Sequence, residues 1–131
     1  ATVAFSEMLL TMGVKISLCP YTNMSFWTSL YSRLGDSVDR IYLQCYSGGA
    51  GNNPAEWYSA FGTKVIPGYW CLHNGGSEGM SAEQVEETLK RASRFSEGAF
   101  IWYYDDTKNL SSPNSTADYA EAINSVGREY A

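Results

Sequence analysis

Asp105 and Asp106 stand side by side at the end of an apolar, aromatic-rich run, where paired carboxylates could do acid–base work. Breaking a glycosidic bond needs that kind of pair: one acid beside the leaving oxygen, and a second group to stabilise an oxocarbenium-like centre. Neighbouring residues on a strand point to opposite faces, so both acids do not readily converge on one bond. The pair is expected to be solvated and to open a loop, with Asp105 free to hydrogen-bond a ligand hydroxyl. His73 is the one histidine, and no nucleophilic serine motif or acidic orienter accompanies it. A triad is therefore unsupported, and His73 is expected on a surface loop. Cys19, Cys45 and Cys71 recur every 26 residues without a CxxC or Cys/His spacing. They are expected to be buried free thiols, with no metal site and no cofactor.

The aromatic content is the unusual feature: ten Tyr, four Trp and five Phe in 131 residues. Flat rings with polar edges fill cores, and they also suit the faces of sugar rings. Which of these rings could meet a ligand depends on the elements that carry them. Residues 14–20 (VKISLCP), 39–46 (DRIYLQCY), 64–72 (KVIPGYWCL) and 98–104 (GAFIWYY) read as β-strands. Asn23 is placed to cap a helix over about 24–34, closed by Gly35. Asn53 with Pro54 opens a second helix, closed by Gly62. The pattern Ser81-Ala82-Glu83-Gln84 is a capping box for a third, running to about Phe95. Ser115 or Thr116 starts a last helix, and residues 105–114 are expected to be a polar loop.

Strand starts thus fall near 14, 39, 64 and 98, an alternation that predicts parallel strands with crossover helices. The fold class expected is α/β, four consecutive βα units, half of a (βα)8 barrel in one domain over 1–131. A complete barrel needs roughly 200 residues or more. A small doubly wound sheet is the competing architecture, but the turn PYTNMS lacks any glycine-rich nucleotide pattern. In βα proteins ligands bind beyond the C-terminal ends of the strands. That edge gathers Tyr21, Thr22, Asn23, Gln44, Tyr46, Tyr69, Trp70, His73, Trp102, Tyr104, Asp105 and Asp106. Trp27 and Trp57 follow helix starts and are expected to pack, while Glu83, Glu86 and Glu87 suit the first turns of a helix.

Composition limits the partners. A net charge of −5 with 18% charged residues opposes nucleic-acid binding. No run of about 18 apolar residues suggests a membrane span. Residues 1–13 lack a basic n-region, so they do not read as a signal peptide; the chain is expected to begin inside a helix, as a fragment of a longer chain would. Sequons at Asn23, Asn109 and Asn114 permit glycosylation.

Two strands carry a family resemblance. Residues 39–46 resemble the sixth barrel strand of glycoside hydrolase family 18, the chitinase and endo-N-acetylglucosaminidase-type barrels, which commonly ends in Met-x-Tyr-Asp. Residues 98–105 (GAFIWYYD) resemble the eighth, with its glycine, apolar run, tryptophan and following acid. By order, 14–20 and 64–72 then correspond to strands five and seven. The resemblance implies an N-acetylglucosamine-type ligand, with Trp102 as the floor under the sugar and Tyr46 holding the N-acetyl group. It favours a secreted protein. The sequence departs from the family at Gln44, where the family has Met, and at Ser47, where it has Asp. The acidic strand-four motif Asp-x-x-Asp-x-Asp-x-Glu is missing; its nearest approach, Asp36-Ser37-Val38-Asp39, continues onto Ile41 and Leu43.

The expectation is therefore a carbohydrate-active half-barrel with no catalytic residues of its own. Gln44, Tyr46, Tyr69, Trp70, Trp102 and Asp105 are its candidate substrate-binding residues. The alternative is a non-catalytic, self-associating lectin-like or structural half-barrel. A four-stranded sheet of this kind leaves two hydrogen-bonding edges open, so the expected protein partner is a second copy or the remainder of a larger barrel.

Overall fold

The computed structural model describes residues 1–129. Helix α1 (Thr2–Thr11) leads into β1 (Ile16–Leu18), followed by α2 (Met24–Leu34), β2 (Val38–Gln44) and α3 (Pro54–Phe61). Then come β3 (Ile66–Trp70), α4 (Ala82–Ala92), β4 (Phe100–Trp102), a single turn α5 (Tyr104–Thr107), and α6 (Thr116–Glu129).

The helix boundaries follow from local chemistry. Asn23 Oδ1 accepts from the Phe26 amide at 3.3 Å, and Asn53 Oδ1 from Ala55 at 3.0 Å with Pro54 in the first turn. Gly62 ends α3 at φ +73°, a left-handed turn that a side chain would resist. At α4 the capping box is complete: Gln84 N donates to Ser81 Oγ at 3.2 Å, and Ser81 N to Gln84 Oε1 at 2.8 Å.

All four strands form one sheet in the order β1-β2-β3-β4, each parallel to its neighbour. A doubly wound sheet would reverse its strand order somewhere, and this one does not. The fold class is α/β, four consecutive strand–helix units with the architecture of half a (βα)8 barrel.

Strand alternation splits the side chains between two faces. One face packs against the helices as two adjoining clusters. Leu18, Ile41 and Leu43 meet Leu30, Leu34, Trp57 and Phe61 from α2 and α3. Tyr69 and Cys71 meet Val85, Leu89, Tyr119 and Val126 from α4 and α6. Each large apolar side chain fully buried this way contributes roughly 1.5–3 kcal/mol. The packing role expected for Trp57 is observed: it is buried, and its Nε1–H donates to Asn52 Oδ1 at 3.1 Å.

The other face carries Tyr42, Gln44 and Tyr46, then Gly68 and Trp70, then Phe100 and Trp102. Across it the register aligns Gln44 with Gly68, Gly68 with Phe100, and Trp70 with Trp102. A Cβ at Gly68 would lie 2.1 Å from the Phe100 ring, so the missing side chain is what admits that ring. Phe100 in turn meets Tyr42 edge-on at 5.9 Å.

Three expectations need correction. Residues 105–114 are not wholly loop, because α5 forms there, tied by Thr107 Oγ1 donating to Tyr104 O at 3.1 Å. All three thiols are free, as expected, but only Cys71 is fully buried and Cys19 is exposed. The parity of the strand explains this: Leu18 points into the helix-side core, so Cys19 points away from it. His73 is not a surface histidine, since its side chain is only 7% exposed. Among the described residues there is no cluster of three or more potential metal ligands and no helix long and apolar enough to cross a membrane.

The fit at Gly68 can be measured. Gly68→Ala should lower stability by about 1–3 kcal/mol through overpacking against Phe100. Urea unfolding reads the difference, and an unchanged midpoint would mean that the ring has room to yield.

Candidate functional site

At the C-terminal ends of β2, β3 and β4 the uncovered face becomes an aromatic group centred on Tyr46. Its ring lies nearly parallel to Trp102, centroids 5.5 Å apart and planes inclined by 13°. Trp70 meets it edge-on at 6.4 Å and Phe100 at 6.3 Å. Tyr46 is buried beneath this group, whereas Trp102 keeps 45% of its surface exposed. Offset and edge-on ring pairs of this kind each add about 0.5–1.5 kcal/mol beyond area burial. Tyr103 and Tyr104 extend the exposed aromatic surface beyond the strand end, and the Trp102–Tyr103 peptide is cis.

Gln44 positions the central ring. Its Nε2 donates to Cys19 O at 3.0 Å, and its Oε1 accepts from the Tyr46 hydroxyl at 3.0 Å. Burial raises the Tyr46 pKa above the usual tyrosine value, with nearby Cys19, Tyr21 and Cys45 adding to the shift. The hydroxyl is therefore neutral at physiological pH and donates to Gln44.

Trp70 is held from both sides. Its Nε1–H donates to Asp106 Oδ2 at 2.9 Å, and its ring stacks on His73 with centroids 3.8 Å apart. His73 Nδ1 lies 2.9 Å from Cys71 O and Nε2 lies 3.1 Å from Glu78 Oε2. Asp106, Trp70, His73 and Glu78 thus form a continuous chain across the rim.

Four of the six candidates meet here: Gln44, Tyr46, Trp70 and Trp102. Two do not. Tyr69 precedes the inward Trp70 by one residue, so it turns to the helix side and joins the second core cluster. Asp105 is exposed and pairs with Lys108 at 2.7 Å. Asp106, not Asp105, reaches the aromatic group, through Trp70; both lie in the turn α5, where a strand's alternation does not apply.

Two positioning residues carried no motif. Asn52 Nδ2 donates to Tyr21 O at 2.7 Å and Gln44 O at 2.8 Å, pinning the glycine-rich loop after β2 to the end of β1. That loop is further held by the Gly48 amide donating to the Tyr21 hydroxyl. Tyr119, from distant α6, donates to Met80 O at 2.6 Å and accepts from the Leu72 amide at 3.0 Å, so it clamps both ends of the loop after β3. Only the glycine-rich composition of the first loop hinted at close backbone contacts.

With this geometry in view, comparison with solved structures bears on the fold. The chain superposes on the catalytic domain of a family GH18 chitinase from the fern Peteris ryukyuensis with a TM-score of 0.65 at 20% identity. The fold is GH18-like. The match covers 95% of this chain and 49% of the fern chain, so this chain spans about half the length of that domain. No family model matches the sequence, and no curated protein does.

The exchange between the two aspartates gives a direct test. Asp106→Ala should cost about 1–3 kcal/mol by leaving the partly buried Trp70 N–H without its acceptor. Asp105→Ala removes an exposed ion pair and should stay within roughly 0.5 kcal/mol of the parent. Paired urea titrations decide it, and equal losses would remove Asp106 from the site.

Proposed function

We propose that this chain is the sugar-facing half of a GH18-like barrel, its strands corresponding to strands five to eight. It binds an N-acetylglucosamine-type carbohydrate without hydrolysing it alone. The supporting observation is the Tyr46–Trp102 stack at the strand ends, in which a buried ring backs one that remains nearly half exposed. A large flat apolar surface, fixed from below and bordered by polar atoms, suits the axial C–H face of a pyranose. Trp102 is the floor under the sugar, and Tyr46 and Trp70 fix its tilt. Asp106, bonded to Trp70, and the Tyr46 hydroxyl are polar groups of the same rim. Hydrolysis needs a second acid or an assisting group across the bond, and the sequence has no match to the acidic strand-four motif.

Titration with chitin oligosaccharides should quench or shift tryptophan fluorescence in the parent chain. Trp102→Ala should weaken binding at least tenfold, and a chromogenic N-acetylglucosaminide should not be turned over. Unchanged affinity in the variant would sink the sugar reading, and clear turnover would sink its non-catalytic part.

A second reading has its own observation. The uncovered sheet face, the edges at β1 and β4, and Phe5, Met8 and Met12 exposed along α1 are surfaces that a second half-barrel would cover. That partner is a second copy or the remainder of a larger barrel. If copies associate, light scattering should give a dimer mass that persists on dilution; a stable monomer at high dilution would exclude the second copy.

A further inference from the structure

On the helix side of the sheet, behind the loops that carry the aromatic rim, a cavity of about 340 Å³ opens between the C-terminal half of the sheet and helices α3 and α4. Its walls include Cys45, Pro54, Tyr69, Met80, Arg91 and Phe95. We propose that this cavity is a second binding site, for a small carboxylate with an apolar body, held by the Tyr69 hydroxyl and the Arg91 guanidinium.

Tyr69 carries the argument. It is 4% exposed, and its hydroxyl is, among the described residues, the one buried side-chain polar atom with no hydrogen-bond partner. The other buried tyrosines are satisfied: Tyr46 donates to Gln44 at 3.0 Å and Tyr119 to Met80 at 2.6 Å. Buried hydroxyls are almost always paired, so an orphan at a cavity wall marks where a partner belongs. Phenylalanine would fill the same space without that cost.

Arg91 supplies the charge. Its Nη2 donates to Thr88 Oγ1 at 3.2 Å, and among the described residues it pairs with no carboxylate. No acidic residue lines the cavity. Arg91 is close enough to Tyr69 for its charge to lower the phenol's pKa against the larger, raising effect of burial. Cys45 stays a neutral thiol, since burial pushes its pKa up to about 12. The rest of the lining is mostly apolar, with Pro54, Met80, Ala92 and Phe95, and its neutral polar groups are Asn52, Asn53 and Thr88.

One cation and one unpartnered neutral hydroxyl beside a largely apolar lining with no carboxylate fit an anionic head on an apolar body. Ligand pockets run from roughly 300 to 1,000 Å³, so the size suits an aromatic or short acyl acid and excludes an oligosaccharide. The exposed Arg91 arm forms one wall of the cavity.

Thermal unfolding of the 131-residue chain with benzoate, 2-naphthoate and octanoate tests the assignment. At saturation at least one should raise Tm by roughly 3–6 °C, while acetate and benzyl alcohol should not. Arg91→Gln should weaken that acid at least tenfold. Tyr69→Phe should weaken it about fivefold or more, yet leave the ligand-free chain as stable as the parent or more so. Trp102→Ala should leave acid binding unchanged, which separates this site from the rim. The proposal is overturned if no acid shifts Tm, if the shift survives in Arg91→Gln, or if Tyr69→Phe lowers the stability of the ligand-free chain.

Discussion

Parallel pairing in sequence order constrains everything else in this molecule. Strands added one after another on the same side, all running one way, bring every C-terminal strand end to one rim. The helices cover a single face. Alternation then divides each strand between a dry helix-side core and the opposite face, with no freedom to exchange them short of a register slip. Tyr69 and Trp70 show how strict that is: adjacent aromatics serve opposite sides of the sheet.

The rim is built from loops that the strands alone would not fix. Asn52 uses one amide group to join the chain after β1, the end of β2 and α3 through three partners, two backbone carbonyls and one indole. Tyr119 does the corresponding task for the loop after β3, from a helix 47 residues further on than Leu72. Asp118 steadies the start of that helix. Hydrogen bonds from the Ser115 hydroxyl and amide, and from Ser112, hold its carboxyl below the usual aspartate range. These contacts are polar, local to the rim, and backed by apolar packing that they do not themselves supply.

The fold was legible in the sequence because its signals are local. Caps at Asn23, Asn53 and Ser81, stops at Gly35 and Gly62, and four β-prone runs at regular spacing mark the elements without reference to partners far away. The site was only partly legible. Gln44, Tyr46, Trp70 and Trp102 gather at one rim because they lie near strand ends on inward positions. Tyr69 could have been separated from Trp70 by alternation alone. That Asp106 and not Asp105 contacts Trp70 could not be foreseen, since it depends on the helical turn α5, which no residue pattern marks. His73 was misplaced because its cover is a tryptophan ring, a contact that no spacing announces. Asn52 and Tyr119 act through tertiary hydrogen bonds, which leave no periodic trace.

The chain from Asp106 through Trp70 and His73 to Glu78 joins two segments: the end of β3 with the loop after it, and the turn α5 after β4. The indole is their hinge pin. A tilt of that ring would disturb an aspartate contact on one side and an imidazole stack on the other. Trp70 is thus the shared contact of both segments, touching each bank of this edge at once.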